Sequence, residues 1–393
     1  MNSHLLHREI QEFINTNLDT NITSLLFKGI TFPSIETKEM IEQIEAKKRC
    51  KTKLPSWFST KEIYYPNKLN IEQTSSETTA KHKASLLKGN TIIDITGGFG
   101  VDCYYFSKHF KQVFHCEINE QLSQIVAHNY KQLQVGNIKT IAQDGLSSLK
   151  NMEATFDWIY IDPSRRHDSK GKVFFLKDCL PNVPEHLNLL FNKASNVLIK
   201  TSPLLDISIG LKELEYVKTI HIIAVNNEVK ELLWVLEKDY KGNVSIETCN
   251  IKKKSKQIFT FSLNEEVSAN SNYCLPLDYL YEPNAAIMKS GAFHTIAKKL
   301  DVLKLHPNSH LYTTETLIDF PGRVFNIEKV MPYNKKILKK EGIAKANIAT
   351  RNFPESVEQI RKKHKIKDGG DVYLFFTTDL DNNKIVIQTK KVA

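Results

Sequence analysis

The most informative segment of the sequence is Ile92-Ile-Asp-Ile-Thr-Gly-Gly-Phe-Gly-Val-Asp102, an apolar run that enters a glycine-rich turn. A helical pattern, Val-Asp-Cys-Tyr-Tyr-Phe-Ser-Lys-His-Phe, follows the turn directly. Because glycine has no Cβ and tolerates positive φ, such a turn lets backbone N–H groups approach a ligand closely. At the carboxyl end of the first strand of a doubly wound sheet, it predicts a ligand-binding site.

The chain around this turn alternates short apolar runs with helical stretches from Thr91 to about Leu263. The runs are TIIDIT, QVFHCEI, IKTIAQ, FDWIYID, NVLIKTS, TIHIIAV, ELLWVLE and IFTFSL. Strands that alternate with helices predict an α/β fold with a mostly parallel, doubly wound, Rossmann-like sheet. The closely spaced last runs predict an antiparallel hairpin at its end. We place this core at residues 86–268.

The two ends of the chain predict separate units. Residues 1–85 carry helical spacing without strand alternation, which indicates an N-terminal helical domain. After a polar spacer, two small α+β units are expected at 273–325 and 326–393. The last contains 15 lysines and arginines against 8 acids, in a chain whose net charge is +10. A basic unit of this kind attracts polyanions, so RNA is a candidate partner.

Eight basic side chains of the last unit are candidates for contacts with RNA phosphates. They are Lys335, Lys336, Lys339, Lys340, Arg361, Lys362, Lys363 and Lys365. The alternative is a solvated helix face, because lysine-rich helices are common on the surfaces of soluble proteins.

Composition argues against several other classes of protein. No apolar run reaches 18 residues and no signal peptide is recognisable, so we expect a cytoplasmic protein with no membrane partner. The six cysteines form no C-x-x-C pair and have no histidine at ligand spacing, so we expect neither a metal site nor disulfides. The sequence leaves the oligomeric state open.

Acids around the glycine turn discriminate between ligands. A dinucleotide site prefers G-x-G-x-x-G, but Gly98-Phe99-Gly100 is not followed by the last glycine. Asp94 and Asp102 would repel a pyrophosphate, whereas S-adenosylmethionine presents an ammonium and a sulfonium that carboxylates favour. We therefore predict S-adenosylmethionine as the cofactor. The alternative is a tight strand-to-helix turn without a ligand.

Two further acids follow the next two predicted strands. Glu117 ends QVFHCE and could accept both ribose hydroxyls, whereas Asp144 follows IKTIAQ and could accept from the adenine amine. Each alone could be a solvated acid at a strand end, but ligands bind where the carboxyl ends of such strands meet. The predicted cofactor-binding residues are Asp94, Thr96, Gly97, Gly98, Gly100, Asp102, Glu117, Ile118, Asp144 and Gly145.

A fourth motif, Phe156-Asp-Trp-Ile-Tyr-Ile-Asp-Pro-Ser-Arg-Arg166, predicts the acceptor side of the site. Proline turns the chain out of the sheet, so that the polar side chains beside it face the methyl group. Asp162 could orient or deprotonate an attacking nitrogen, and an arginine could hold a phosphate or stack on a base. The predicted catalytic residues are Asp162, Pro163, Ser164, Arg165 and Arg166. The alternative is a strand-ending turn with surface arginines.

These motifs together resemble the class I S-adenosylmethionine-dependent methyltransferases over about residues 70–265. The whole chain looks like a Bacteroidetes-type family in which a seven-stranded methyltransferase core is joined to a ferredoxin-like unit and a C-terminal THUMP-like domain. EQTSSETTA, YEPNAAIMKSGAF, FPGRVF and ANIATRNFP are similar to recurring segments of that family. The resemblance implies a cofactor pocket lined by Asp94, Gly97, Gly98, Glu117 and Asp144, and an acceptor motif at Asp162 and Pro163. THUMP domains bind tRNA, so it also implies an RNA substrate.

One departure from the pattern leaves the target atom open. Methyltransferases of adenine or cytosine amines commonly have an aromatic residue after two prolines, but Pro163 is followed here by Ser164 and two arginines. A base amine, a ring position and another acceptor all remain candidates. The leading hypothesis is an RNA base methyltransferase, and the first alternative is a small-metabolite methyltransferase. A non-catalytic RNA-binding or assembly protein is the third, against which the acids at three strand ends argue.

Overall fold

The computed structural model describes residues 1–29, 32–165 and 175–392, and only the backbone of Lys28 and Arg165. The chain divides into two compact units. One consists of Met1–Lys218 with Leu233–Lys241, and the other of Thr219–Leu232 with Gly242–Ala393. None of the helices within the described residues is long and apolar enough to cross a membrane.

The first unit begins with helices, as the spacing of apolar residues predicts. After a 3-10 turn at Ser3–Leu6 they are α1 (Arg8–Thr16), α2 (Ile22–Lys28), α3 (Thr37–Lys53), α4 (Pro55–Ser59), α5 (Lys68–Gln73) and α6 (Glu77–Ser85). The longest, α3, starts with a capping box of Glu36 and Glu39. Its buried Met40 and Ile44 contribute to the core of the unit.

The sheet of this unit is built from strands that alternate with helices. In chain order the elements are β1 (Thr91–Asp94), α7 (Val101–Phe106), β2 (Gln112–Cys116), α8 (Glu120–Gln132), β3 (Ile138–Ile141), α9 (Gly145–Asn151), β4 (Phe156–Ile161), β5 (Ser164–Arg165), β6 (Cys179–Leu180), α10 (Val183–Lys193), β7 (Ala194–Thr201) and α11 (Ile207–Glu213). A 3-10 turn at Leu176–Asp178 precedes β6, and β5 and β6 form a separate two-stranded sheet.

The strand order gives this sheet a topological switch point. Strands β3, β2, β1, β4 and β7 lie side by side in that order and are parallel. The chain moves outward from β1 to β3 and then restarts on the other side of β1 with β4. Ligands of open α/β sheets bind outside the carboxyl ends of the strands at such a point. Here it lies between the ends of β1 and β4.

Four further strands complete the sheet. They are β8 (Val217–Val225), β9 (Glu228–Glu237), β10 (Ser245–Ile251) and β11 (Lys256–Ser262), and the nine strands stand in the order β11-β10-β8-β9-β7-β4-β1-β2-β3. The seven strands expected of the core are present, and β10 and β11 extend them. The apolar pattern does not identify β10, because Glu247, Thr248 and Asn250 interrupt it although most of the strand is buried.

The second unit continues with a second, seven-stranded sheet. Its remaining elements are α12 (Leu263–Ser268), β12 (Tyr279–Pro283), α13 (Ala285–Ser290), α14 (Thr295–Leu300), β13 (Leu303–Lys304), β14 (Tyr312–Thr314), β15 (Gly322–Pro332), α15 (Lys335–Lys340), β16 (Lys345–Arg351), α16 (Val357–His364), β17 (Lys367–Thr378) and β18 (Lys384–Lys391). The strand order is β13-β14-β12-β15-β18-β17-β16. Two apolar clusters support it, one around Leu374 and Phe376 and one around Phe325 and Phe375.

Candidate active site

Three of the predicted site acids lie at the carboxyl ends of adjacent strands. Asp94 ends β1, Glu117 follows β2, and Asp162 follows β4. Asp94 stands in register with His115 on one neighbouring strand and with Tyr160 on the other. The parallel sheet therefore brings motifs that are distant in sequence to one edge, at the switch point.

The glycines of the turn after β1 serve two different purposes. A Cβ on Gly97 would lie 2.3 Å from Nε2 of the buried His115, so this glycine is needed for packing. Gly98 has a φ of +53°, and a Cβ there would meet only the Thr96 carbonyl oxygen, at 3.8 Å. Gly100, at φ +75°, begins α7 in the left-handed conformation. The open space is therefore in front of Gly98, where a ligand can approach the backbone.

The carboxylate of Asp94 is turned into the protein. The residue is 2% exposed, and its Oδ1 accepts hydrogen bonds from the Thr96 backbone N–H at 2.8 Å and the Thr96 hydroxyl at 3.1 Å. Cys103 Sγ of α7 lies 3.4 Å from Oδ2. Burial raises the pKa of Asp94 to about 7. Asp94 therefore holds the backbone of the turn from its buried side.

Glu117 is the acid that stands beside the turn. Its Oε2 accepts from the Gly98 backbone N–H at 2.9 Å and its Oε1 from the Asn119 N–H at 2.8 Å. Each carboxylate oxygen has a second lone pair, so the group can still accept hydrogen bonds from a ligand. The next side chain, Ile118, is 73% exposed and lies beside the turn, where it is free to contact a ligand.

Asp144, another acid predicted for the donor side, is exposed and lies immediately before α9. Its Oδ1 caps the helix by accepting from the Ser147 N–H at 2.8 Å. A Cβ on the neighbouring Gly145 would lie 2.0 Å from the Ile95 carbonyl oxygen. The absence of a Cβ at Gly145 thus lets the start of α9 pack closely against Ile95, which follows β1. This close packing brings Asp144 to the edge of the sheet at which Glu117 lies.

Asp102 belongs to a buried cluster that sequence reasoning missed. Lys83 of α6, which is 0% exposed, places its Nζ 2.9 Å from Asp102 Oδ1. Ser75 and Tyr160 donate hydroxyl hydrogen bonds to Asp102 Oδ2 at 2.8 and 2.9 Å. Burial opposes ionisation of Asp102, but the charges of Lys83 and Lys200 outweigh it and lower its pKa. Removing one partner of such a pair costs about 3–5 kcal/mol, because the other charge is left buried.

On the acceptor side, Asp162 is paired with a lysine. Lys200, near the end of β7, forms an ion pair with Asp162 Oδ2. Sequence reasoning missed Lys200, although its position near the end of the run NVLIKT is a usable signal. Pro163 is buried and Ser164 is exposed. The chain then enters the β5–β6 ribbon, in which Ser164 pairs with Leu180.

The side chains of the two predicted arginines lie outside the described part of the chain. The backbone of Arg165 pairs with Cys179 in the ribbon, and Arg166 lies outside the described residues. Within the described ranges, no group of three His, Cys, Asp or Glu side chains is arranged to hold a metal ion. The described site is therefore a glycine turn with acids on its donor side and an Asp–Lys pair on its acceptor side.

Two family models match consecutive segments of the second unit. Residues 279–321 match the model of a ferredoxin-like domain, and residues 322–391 match a model described as THUMP domain-like. The sequence matches no protein of curated function. Two solved structures match the chain in part. An rRNA methylase of Streptococcus thermophilus is 15% identical, with a TM-score of 0.31 over 41% of this chain and 94% of its own. TrmK of M. capricolum, solved with S-adenosylhomocysteine, is 20% identical, with a TM-score of 0.32 over 41% of this chain and 68% of its own.

A third solved structure matches the whole chain. It is that of a Porphyromonas gingivalis W83 protein assigned to the methyltransferases, which is 31% identical. The TM-score is 0.89, and the match covers 100% of this chain and 99% of that one. At this identity and coverage the two proteins share a family as well as a fold. The chain therefore belongs to the methyltransferase family of the Porphyromonas gingivalis protein.

Proposed function

We propose that this methyltransferase transfers the methyl group of S-adenosylmethionine to a base in RNA. The observation that supports the donor site is the contact between Gly98 and Glu117 beyond the carboxyl ends of β1 and β2, where a backbone turn with open space in front of it meets an accessible carboxylate. Carboxylates beside such a turn suit the ribose hydroxyls and the cationic groups of this donor.

Residues of the described site fit the parts of the donor. Glu117 would hold the ribose, the exposed Ile118 would cover one face of the adenine, and Asp144 would accept from its amine. The open side of Gly98 would face the methionine part. When bound, S-adenosylmethionine supplies an activated methyl group on its sulfonium. Transfer then depends mainly on orientation, which well-placed groups supply without a covalent enzyme intermediate.

The acceptor turn would orient the attacking atom. The Asp162 carboxylate can accept a hydrogen bond from an N–H of the acceptor and receive its proton. Lys200 holds that carboxylate and offsets its charge. This pairing restricts the rotation of Asp162, so that a base entering the site meets an acceptor group of fixed direction.

The THUMP domain-like unit supports RNA as the substrate class. Its helix α15 presents Lys335, Lys336, Lys339 and Lys340 to solvent. Among the described residues, these four lysines form no ion pair with an acid. By contrast, Arg361 and Lys363, also candidates from the sequence, are paired with Asp368 and Glu355. Unpaired exposed lysines can neutralise RNA phosphates without losing internal partners.

The donor site is tested by isothermal titration of the protein with S-adenosylmethionine. Glu117→Gln keeps the size of the side chain but loses the charge, and we expect the affinity to fall by about tenfold or more, since hydrogen bonds to charged groups contribute about 1.5–3 kcal/mol. Glu153→Gln, at an exposed position of the same unit, is the matched control. Unchanged affinity in Glu117→Gln would refute the assignment of the ribose site.

The acceptor class is tested by incubating the protein with donor labelled in its methyl group. Total RNA in one reaction and a small-metabolite extract in another separate the two candidate substrate classes. Label in RNA, located by nucleoside mass spectrometry, supports the proposal. Label only in the metabolite fraction would instead identify a small-metabolite methyltransferase. Donor binding without methyl transfer to either fraction would favour a non-catalytic RNA-binding or assembly protein.

A further inference from the structure

The hydroxyl of Thr96 lies between the donor side and the acceptor side of the site. It donates to Asp94 Oδ1 at 3.1 Å and accepts from the backbone N–H of Asp162 at 2.7 Å. The Thr96 backbone N–H also donates to Asp94, at 2.8 Å. One side chain thus ties the first residue of the acceptor turn to the carboxylate beneath the glycine turn.

This contact is separate from the hydrogen bonds of the sheet. Strands β1 and β4 pair in register only from Ile92 and Trp158 to Asp94 and Tyr160. Beyond that register, the Ile95 N–H still donates to the Tyr160 carbonyl oxygen, at 3.1 Å. Asp162 follows two residues after Tyr160, where the chain turns away from the sheet. The Thr96 hydroxyl therefore continues the connection between the two strands past the end of their backbone pairing.

We propose that Thr96 is a positioning residue, whose hydroxyl fixes the acceptor turn at Asp162 relative to the glycine turn. The sequence alone suggested a contact between Thr96 and the cofactor. In the structure both hydrogen-bonding directions of its hydroxyl are used internally. Thr96 would influence methyl transfer by positioning Asp162, so this inference rests on the proposed function of Asp162 at the acceptor side.

Such a link matters because methyl transfer is sensitive to distance. Displacing a reacting group by about 1 Å can lower a rate roughly 100-fold, even when binding is unchanged. The ammonium of Lys200 already holds the side-chain carboxylate of Asp162 through Oδ2. Thr96 holds the backbone of the same residue, so the two contacts together determine both its position and its direction.

The test compares Thr96→Val, which is nearly isosteric but lacks the hydroxyl, with Thr96→Ser, which retains it. Thr91→Val is the matched control, because the Thr91 hydroxyl also accepts from a backbone N–H of β4, that of Asp157 at 3.1 Å, but at the opposite end of β1. Thermal unfolding identifies variants that do not fold, and Thr96→Ala provides a second variant without the hydroxyl if valine is not tolerated. The probes are S-adenosylmethionine for binding and total RNA for transfer.

We expect Thr96→Val to lower kcat by about 10- to 100-fold. Its dissociation constant for the donor should stay within about threefold of the original value, because Glu117 and Gly98 are untouched. Thr96→Ser and Thr91→Val should retain the original kcat. An unchanged kcat in Thr96→Val, a loss of donor binding as large as that of Glu117→Gln, or no recovery in Thr96→Ser would overturn the proposal.

A second measurement does not depend on activity. Hydrogen exchange of the peptide that contains Ile161 to Ser164 should be faster in Thr96→Val than in Thr96→Ser, because the Asp162 N–H loses its partner. If the original protein transfers no methyl group to RNA, the proposed function fails, and this comparison alone decides the inference. Equal exchange in the two variants would then overturn it, and faster exchange in the valine variant would support it.

Discussion

Replacing Gly97 and Gly98 separately by alanine should separate folding from donor binding. In Gly97→Ala the new methyl would lie 2.3 Å from Nε2 and 2.6 Å from two carbons of the His115 ring, which is completely buried. Burial lowers the pKa of His115 to about 4, so the ring is neutral and cannot be drawn outward by its charge. Overpacking of this kind costs about 1–3 kcal/mol, and sometimes more.

In Gly98→Ala the methyl meets nothing nearer than 3.8 Å. The variant should lose only the roughly 1–2 kcal/mol that a side chain costs in the left-handed region. The methyl would occupy the space through which we expect the donor to approach, so the affinity should fall by about tenfold or more. This variant should therefore fold and fail to bind.

Urea unfolding measures the first effect and isothermal titration with S-adenosylmethionine the second. A double-mutant cycle with His115→Ala strengthens the design, since removing the ring should recover part of the stability that Gly97→Ala loses. The reasoning would be refuted if Gly97→Ala were as stable as the original protein. It would also be refuted if Gly98→Ala bound the donor normally.

Two further predictions concern charge. Because burial raises the pKa of Asp94 to about 7, the folded state binds this proton more tightly than the unfolded chain; its contribution to stability is full below about pH 4 and is lost as the pH rises to about 7. The unfolding free energy of the original protein minus that of Asp94→Asn should therefore decrease from pH 5 to pH 8, by up to about 1.4 kcal/mol per pH unit. A difference that does not change with pH would contradict the raised pKa. In RNA binding followed by fluorescence anisotropy, replacing Lys336, Lys339 and Lys340 by alanine should reduce the slope of log K against log salt by about 2–3. The same change at Lys252, Lys253 and Lys254, an exposed run between β10 and β11, should leave the slope nearly unaltered, and equal effects would mean that α15 has no special role.

The sequence could predict the strand-end acids because one topological rule relates them. Once β1, β2 and β4 are recognised as parallel strands, their following residues must meet at one edge, wherever they lie along the chain. This rule suffices to bring Asp94, Glu117 and Asp162 together. It does not tell which carboxylate faces the solvent, because exposure depends on packing.

The sequence could not predict the partners of these acids. Lys83 meets Asp102 and Tyr160 because α6 packs against α7, and no local spacing in the sequence encodes that contact. Lys200 lies within an apolar run, where a single charged residue near a strand end is easily read as solvent-facing. Both lysines are visible only once the helices and strands are packed in three dimensions.

The contacts of Lys83 with Asp102 and Tyr160 also limit where the chain can be truncated. It comes from the last helix before the sheet, yet its ammonium lies 3.0 Å from the hydroxyl of Tyr160, 77 residues further along the chain. A shortened protein that began at β1 would lack this ammonium and would expose Asp102 and Tyr160 without their partner. Helix α6 is therefore part of the same folding unit as α7 and β4, and its removal would break this buried cluster.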